Sequence, residues 1–449
     1  MAADVGGGPH RDRLSDLPDA ILVTILSLLS LDETARCSVL ASRWRRLFPL
    51  TLLDFNVPFP GRRSAIDLVS SILAAHPAAL VRSFRTGYGS ICCDEDPSNG
   101  GWLQELGRRG VEELFLSFSD RRQRIPSSLF TCANLTRLRA SCCTFPTPPE
   151  AAAGAPLLTR LTEIELWDVT VPEDALHALL SRCTALERLK MRRMRHCGSV
   201  HIRSRILKVL SNDGHFDELV VEDAPNLERS LGDSLHQRGV RFRVTHAPRL
   251  EFLGYLGMGS LAIEMGETIF TEGQILVKTL MPGLKTLAVE LMNRTVGYIN
   301  WFAQLLKLFP RLETLYIRSE LGRMIEEVSP ESLAALGSVP CINEHLQKVV
   351  FEVYSGHEWQ REMAKSLHRR SRLLKTMEFH CIDFTRTKFI TRAPSKEWVR
   401  NQQELLCFDS CASRDARFLF FERHLDLNHH NICHHEWYRS RYYDNLYKV

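Results

Sequence analysis

The sequence predicts an α/β protein in which a short three-helix unit at the N-terminus precedes a long, irregular solenoid of strand-containing repeats. Two observations support this prediction. Residues 13–48 hold three short helical patterns, and from Val111 onward one template of spaced leucines recurs along the chain. In such a solenoid a parallel sheet lines the concave face, and helices or loops return along the convex face.

The first helical pattern follows Leu17. Asp16 is placed to cap its start, and Pro18 falls in its first turn, where a missing N–H costs nothing. The apolar residues of this pattern cover more than one stripe of the helix: Ala20, Ile21, Leu22, Ile25, Leu26, Leu28 and Leu29.

Two further helices are predicted before Pro49. Ser30 with Glu33 has the spacing of a capping box, which predicts a helix from Leu31 to about Val39, and a third runs from Ala41 to Phe48. A unit this short buries little of its own apolar surface, so part of that surface is predicted to be an interface. The residues concerned are Leu17, Ile21, Leu22 and Ile25. The alternative, a helical cap packed on the rest of the chain, stays open.

The repeat template is Leu-x-x-Leu-x-apolar, as in Leu161, Ile164 and Leu166. Its central apolar positions are Leu114, Leu138, Ile164, Leu189, Leu219, Leu253, Leu287, Leu315, Val349 and Met377. The gaps between them run from 24 to 34 residues. The short end of this range is typical of leucine-rich repeats and the long end is longer than usual, with one strand and a variable return segment in each unit. The alternative is a generic α/β protein whose leucine strings arise by chance.

Some return helices are also readable from the sequence. Apolar residues at helical spacing predict helices over residues 172–182 and 298–308. An earlier, irregular unit is predicted near residues 81–84, after a helix over 64–76.

Composition excludes several function classes. The chain has 449 residues and 44% hydrophobic content, and 57 Lys and Arg against 53 Asp and Glu leave a net charge of +4. That charge gives no reason to expect a nucleic-acid or membrane partner, and no run of 18 apolar residues occurs. Thirteen cysteines in a chain without a recognisable signal peptide predict free thiols in a reducing compartment, the cytoplasm and/or the nucleus.

No catalytic constellation or phosphate-binding glycine motif is recognisable, so we expect neither an enzyme nor a cofactor. Metal-capable side chains cluster near the C-terminus, but their spacing matches no known zinc module and we expect no metal site. They are Cys407, Cys411, His424, His429, His430, Cys433, His434 and His435.

A basic cluster follows one repeat strand and is a possible patch for an acidic or phosphorylated segment of a substrate, since guanidinium groups bind phosphate in bidentate fashion. The alternative is a solvated surface. Its members are Arg188, Lys190, Arg192, Arg193 and Arg195, with Arg203 and Arg205 nearby. A second basic run, residues 368–372 with Lys375, has the same status.

Two parts of the chain resemble a known family. Residues 12–19 (Asp-Arg-Leu-Ser-Asp-Leu-Pro-Asp), 25–27 and 38–45 resemble the F-box that opens plant F-box/leucine-rich-repeat proteins. Residues 216–228 and 244–256 resemble the middle repeats of the monocot members, and residues 412–416 their C-terminal end.

The resemblance implies a substrate-recognition adaptor of a Skp-cullin-F-box (SCF) ubiquitin ligase. The F-box would dock a Skp-type adaptor and, through it, a cullin, while the repeats bind an unknown protein substrate. The alternative is a repeat scaffold without a ligase. The contacts carried over from the family are Leu17, Pro18, Ile21, Leu22, Ile25, Leu26, Val39 and Trp44.

The resulting domain organisation has five parts. They are a disordered tail (1–10), the F-box (11–55), a helical linker with the first irregular repeat (56–110), the leucine-rich repeats (111–385) and a C-terminal cap (386–449).

Overall fold

The computed structural model describes a large part of the chain in two compact units, residues 1–198 and 199–449. The described residues are 14, 16–29, 31–48, 51–57, 70–74, 77, 79–86, 101–118, 122–149, 157–194, 197–213, 216–232, 240–257, 261–270, 275–276, 280–291, 298–319, 333–381 and 395–422. The predicted disordered tail lies outside them.

The first unit contains five named helices and six strands among its described residues. The helices are α1 (Asp19–Leu28), α2 (Leu31–Leu40), α3 (Ser42–Leu47), α4 (Gly101–Arg108) and α5 (Glu173–Arg182). The strands are β1 (Leu52–Val57), β2 (Leu80–Thr86), β3 (Glu113–Ser117), β4 (Arg137–Ser141), β5 (Glu163–Trp167) and β6 (Arg188–Arg192). They form one parallel ladder in chain order.

The three N-terminal helices match the prediction except at the first cap. Helix α1 begins directly after Pro18, whose extended backbone (φ −59°, ψ 149°) makes it the N-cap, and no side chain caps the helix. The prediction that Asp16 caps α1 was therefore wrong. The predicted capping box cannot be judged, because Ser30 lies outside the described residues.

The central leucines of the repeats align across the sheet. Leu114 pairs with Leu138, Leu138 with Ile164 and Ile164 with Leu189, and all four side chains are fully buried. The regular leucine spacing therefore reports one buried row, in which each repeat covers the next.

Three strands of this unit end in the same way. The residues directly after β4, β5 and β6 are Cys142, Asp168 and Arg193, and they have φ values of 53°, 53° and 49°. None of them is glycine, so each adopts a left-handed conformation that L-residues seldom take. This shared conformation turns the chain out of the sheet at equivalent points of successive repeats.

The second unit contains fourteen strands, assigned to two sheets, and four named helices among its described residues. The strands are β7 (Cys197–Arg203), β8 (Val209–Asp213), β9 (Phe216–Asp223), β10 (Arg229–Gly232), β11 (Val240–Val244), β12 (Phe252–Gly257), β13 (Leu261–Met265), β14 (Thr268–Phe270), β15 (Ile275–Leu276), β16 (Thr286–Leu291), β17 (Thr314–Ser319), β18 (Lys348–Tyr354), β19 (Thr376–Cys381) and β20 (Arg417–Glu422). The helices are α6 (Tyr298–Lys307), α7 (Pro340–Glu344), α8 (Glu358–His368) and α9 (Lys396–Leu405).

The main sheet of this unit has the order β8-β10-β12-β16-β17-β18-β19-β20. Its leucine row is again in register, with Leu287 paired to Leu315, Leu315 to Val349 and Val349 to Met377. The return helices predicted over 172–182 and 298–308 are confirmed as α5 and α6. None of the described helices is long and apolar enough to span a bilayer.

One repeat position differs from the prediction. Leu219 lies in β9, which belongs to a second sheet with the order β15-β14-β13-β11-β9-β7. The main sheet takes β8 and β10 instead, two strands that the template missed. Between residues 197 and 265 the chain thus alternates between the sheets, and its return segments there are strands rather than helices.

Candidate functional site

The first candidate site is the N-terminal helical unit, which has a small core of its own. Leu22, Leu26 and Leu47 are buried together, and Leu17 and Trp44 pack against them. Side chains fix the helices to one another. The hydroxyl of Thr34 donates to the carbonyl of Leu26 at 3.0 Å.

The start of α1 is held by an arginine of α3. The guanidinium of Arg43 donates to the carboxylate of Asp19, at 2.8 Å from Nε and 2.6 Å from Nη2, and Nη2 also donates to the carbonyl of Leu17 at 2.6 Å. At the other end of the helix, Arg82 of β2 donates to the carbonyl of Ser27. The orientation of α1 is therefore fixed at both ends.

A neighbouring face of α1 carries apolar residues that the chain leaves accessible. Ile21 is 47% exposed and Leu28 75% exposed, Pro18 is exposed, and Ile25 is half-buried. Their spacing of three, four and three residues places these four on one helical face. We name them the α1 stripe. On the next helix Val39 is 73% exposed.

These residues account for much of the exposed apolar surface. The described chain has twelve large exposed hydrophobic side chains, and four of them (Leu14, Ile21, Leu28 and Val39) lie between residues 14 and 39. Single exposed apolar residues are ordinary, whereas such a concentration marks an interaction surface.

The eight predicted adaptor contacts separate into three groups. Pro18, Ile21 and Val39 are exposed, Leu17, Ile25 and Trp44 are half-buried, and Leu22 and Leu26 lie in the core. Leu22 and Leu26 therefore support the α1 stripe from beneath. Leu28 was not among the eight, although its position seven residues after Ile21 could have identified it.

The second candidate site is the face of the β2–β6 sheet that lies opposite the buried leucine row. Register places Glu113, Arg137, Glu163 and Arg188 in one row across four strands, and Phe115, Arg139, Glu165 and Lys190 in the next. Arg85 on β2 pairs with Phe115. We name this surface the arginine face. Its members are Arg85, Glu113, Phe115, Arg137, Arg139, Glu163, Glu165, Arg188, Lys190 and Arg192.

Ion pairs connect neighbouring strands of the arginine face. Arg85 and Arg137 both reach Glu113, at 2.7 and 3.2 Å. Arg139 lies 3.0 Å from Glu165, and Lys190 lies 3.3 Å from Glu163. These partners come from strands about 25 residues apart, so local sequence patterns do not reveal them.

The members of the predicted basic patch differ in their exposure to solvent. Arg188 is exposed and Arg193 half-buried, whereas Lys190 and Arg192 are nearly buried. Arg195 lies outside the described residues. The patch stays a prediction, and Arg188 is its accessible member on the sheet. In the second basic run, Arg369 and Arg370 donate to Ser410 and Ser366 of the same unit.

Part of the corresponding face of the second unit, around Glu352, is buried. Glu352 on β18 is fully buried and accepts from the hydroxyl of Tyr255 at 2.6 Å and from Nε of Arg318 at 2.9 Å. The guanidinium carbon of Arg318 lies 3.7 Å from the centre of the Tyr255 ring. We name these three residues the buried network. Ala288 and Val350, which share this face, are also fully buried.

Four buried cysteines contribute to packing in the core. Burial raises the pKa of the Cys132, Cys183, Cys341 and Cys381 thiols to about 12, so they stay protonated at neutral pH. No group of three metal-capable side chains occurs among the described residues. Of the predicted metal-capable cluster, Cys407 is exposed and Cys411 half-buried, and the other members lie outside the described residues.

Comparison with family models divides the chain into three matching segments. Residues 14–51 match the F-box domain, residues 100–317 match the repeats of "FBD-associated F-box protein At5g56370, LRR repeats", and residues 336–379 match the FBD model. The chain thus has an N-terminal F-box followed by a leucine-rich-repeat region, as predicted. The FBD segment was not predicted from the sequence.

Several curated proteins are similar to the chain. The F-box/FBD/LRR-repeat protein At1g13570 of Arabidopsis thaliana is 30% identical over 59% of this chain and 64% of its own length. The F-box/FBD/LRR-repeat protein At5g56420 of Arabidopsis thaliana is 25% identical over 82% of this chain and 91% of its own length. The similarity to these relatives supports the assignment of the chain as a plant F-box/leucine-rich-repeat protein. The predicted likeness to monocot members stays a prediction.

One solved structure, of a leucine-rich-repeat protein from Leptospira interrogans, covers 81% of this chain and 96% of its own at 13% identity. The two structures superpose with a TM-score of 0.31.

Proposed function

We propose that this plant-type F-box/leucine-rich-repeat protein is a substrate-recognition adaptor of an SCF-type ubiquitin ligase. The F-box docks a Skp-type adaptor, which connects the chain to a cullin, and the repeats bind the target protein. The single observation that carries the proposal is the α1 stripe, an apolar surface that its own fold leaves open.

Burial of the stripe supplies the driving force for docking. Covering a Leu or Ile side chain contributes about 1.5–3 kcal/mol relative to leaving it in water, so two or three such residues support a stable complex. The helix needs little reorganisation on binding, because Arg43 and Arg82 already fix both of its ends.

In this proposal the chain performs no chemistry. It holds the target close to the transfer machinery, and proximity raises the rate of ubiquitin transfer. Catalysis belongs to the ligase partners, and the complex works in the cytoplasm and/or the nucleus.

The test is co-purification of the full chain with a recombinant Skp-type adaptor, with Kd measured by biolayer interferometry. The Ile21→Lys and Leu28→Lys substitutions each place a charge on the α1 stripe without changing its core. We expect each to weaken binding about a hundredfold, which corresponds to about 3 kcal/mol. The matched control is Leu373→Lys, which changes a leucine of the second unit whose exposure of 51% is close to that of Ile21.

The alternative function is a repeat-based interaction scaffold without a ligase. It predicts that the intact chain does not bind the Skp-type adaptor at all. Equal loss of binding in the Leu373→Lys control would also count against the proposal, because the effect would then not depend on the stripe.

A further inference from the structure

We infer that the arginine face of the first unit binds an extended anionic segment of the target protein. The inference rests on the proposed function, in which the repeats bind the target, and it specifies the chemistry of that target. Four features of the face support it.

The first feature is the depth of the two kinds of charge. The side chains of Arg85, Arg137, Arg139 and Arg188 are 44–53% exposed, whereas those of Glu113, Glu163 and Glu165 are only 11–18% exposed. An approaching molecule therefore meets guanidinium groups first, and the carboxylates lie beneath them.

The second feature is the balance of charge. In strands β2–β6 four accessible arginines on this face, Arg85, Arg137, Arg139 and Arg188, stand against three carboxylates, and the nearly buried Lys190 and Arg192 add to the positive charge of the strands. The second sheet of the other unit offers a contrast. There Arg203, Arg241 and Arg243 are balanced by Glu218, Glu222 and Glu264 in a similar ladder of ion pairs.

The third feature is the fixed orientation of two arginines. The guanidinium carbons of Arg85 and Arg139 lie 4.7 and 5.0 Å from the centre of the Phe115 ring, which stands on the strand between them. Stacking on an aromatic ring limits the rotamers of both side chains, so binding costs them less entropy. Each guanidinium has five N–H donors, and the glutamates of the face leave some of them for an anion.

The fourth feature is the size of the face. Five neighbouring strands at a spacing of about 4.8 Å span about 19 Å, which matches about six residues of an extended peptide. Alternate side chains of such a peptide lie about 7 Å apart on one side, so a segment of this length can present about three anions to the arginines of the face. We take the occupant to be a protein segment because, in the proposed function, the repeats bind a target protein.

The experiment measures binding of fluorescein-labelled eight-residue peptides to the full chain by fluorescence anisotropy. One peptide carries Glu at alternate positions, a second carries phosphoserine there, and a third carries Gln. We expect both anionic peptides to bind at least tenfold more tightly than the Gln peptide, and their relative affinity identifies whether carboxylate or phosphate is preferred.

Variants locate the binding surface. We expect the double substitution Arg85→Gln and Arg139→Gln to weaken the anionic peptides at least tenfold. The matched control, Arg241→Gln and Arg243→Gln, removes two arginines of similar exposure from the balanced sheet and should change Kd less than twofold.

Three results would overturn the inference. They are failure of both anionic peptides to bind, equal loss of binding in the control variant, and tighter binding of a single-stranded RNA that is lost with the same double substitution. Each is distinguishable from failure of the proposed function, because association with the Skp-type adaptor is measured separately and should be unchanged in all arginine variants.

Discussion

The arginine face and the part of the second unit's sheet around Glu352 are built on strands of the same template, yet one is open and the other is buried. In the first unit the residues between the buried leucines are charged and accessible, with Arg139 45% exposed. In the second unit Ala288 and Glu352 occupy comparable positions and are fully buried, and the aromatic ring of Tyr255 contacts Arg318.

The difference shows that the leucine row and the opposite face of a repeat are independent. The leucines set the register and join the repeats, and they do so equally well in both units. The other face is then available either for recognition or for additional packing. Substitutions on the two faces test whether one face serves recognition and the other packing.

Loss of the buried acid should be the most damaging change. Glu352→Ala removes both oxygens that accept from Tyr255 and Arg318, and takes away a carboxylate that stabilises the buried Arg318 cation. We expect the free energy of unfolding to fall by about 3–5 kcal/mol in urea denaturation. The matched control is Arg139→Ala on the open face, which removes one exposed ion pair and one cation–π contact and is expected to lower the free energy of unfolding by about 1 kcal/mol. Similar values for the two variants would remove the distinction between the faces.

Enlarging a small residue tests how tightly the buried part of the second unit's sheet is packed. Ala288 lies in a cluster with Leu231, Phe252 and Tyr255. Ala288→Leu adds three carbons to this cluster, and we expect a loss of about 1–3 kcal/mol in the free energy of unfolding. Ala133→Leu, at an exposed turn, is the control and should be close to neutral. A neutral Ala288→Leu would mean that the face opens readily.

A pH titration tests whether the end of the second unit is sealed as well. Burial, together with the charges of Arg369 and Lys365, lowers the pKa of His368, whose Nε2 lies 3.0 Å from the carbonyl of Leu406 and whose ring contacts Phe408 and Phe418. The unfolded chain then binds a proton more readily than the folded chain.

Stability should consequently be full above the ordinary histidine pKa of about 6.5 and should decline as the pH falls through that value. We expect the His368→Gln variant to show a shallower decline between pH 7.5 and 5.5 in thermal unfolding. An unchanged pH dependence would show that this histidine is not the group responsible.

The smallest effect is expected on the open face. Phe115→Leu keeps an apolar side chain but removes the ring beneath Arg85 and Arg139. Cation–π contacts at exposed sites contribute about 0.5–1 kcal/mol each, so we expect a loss of about 1 kcal/mol in urea denaturation. A loss of 3 kcal/mol or more would indicate that this face is structural rather than a surface held ready for a partner.

The sequence was sufficient for the repeat register, because a leucine at a fixed place in each repeat reports burial directly. Leu114, Leu138, Ile164 and Leu189 pair as their spacing indicates. It was insufficient where the template is weak. Strand β8 carries Ser211 and Asn212 after its single leucine. The template therefore selects the stronger apolar run around Leu219, although that run belongs to the second sheet.

The candidate sites show a similar limit. An almost wholly apolar helix such as α1 does not reveal which side faces its own core, so Leu22 and Leu26 were grouped with the exposed contacts. Likewise Lys190 looks like part of a basic patch until Glu163, 27 residues earlier in the chain, is seen to lie 3.3 Å away. Contacts between residues distant in the sequence determine the burial of Leu22 and Leu26 and the pairing of Lys190. Neither helical spacing nor the charge of neighbouring residues predicts such contacts.

The alternation of strands between residues 197 and 265 affects how this stretch can evolve. Each coil there is closed by hydrogen bonds to its neighbours on two walls at once, as with β8, β10 and β12 on one side and β9, β11 and β13 on the other. A part-coil deletion would shift the pairing on both walls, whereas removal of one whole coil would let the flanking coils meet in register. Length changes in this stretch should therefore be inherited in steps of one coil, about 20–24 residues.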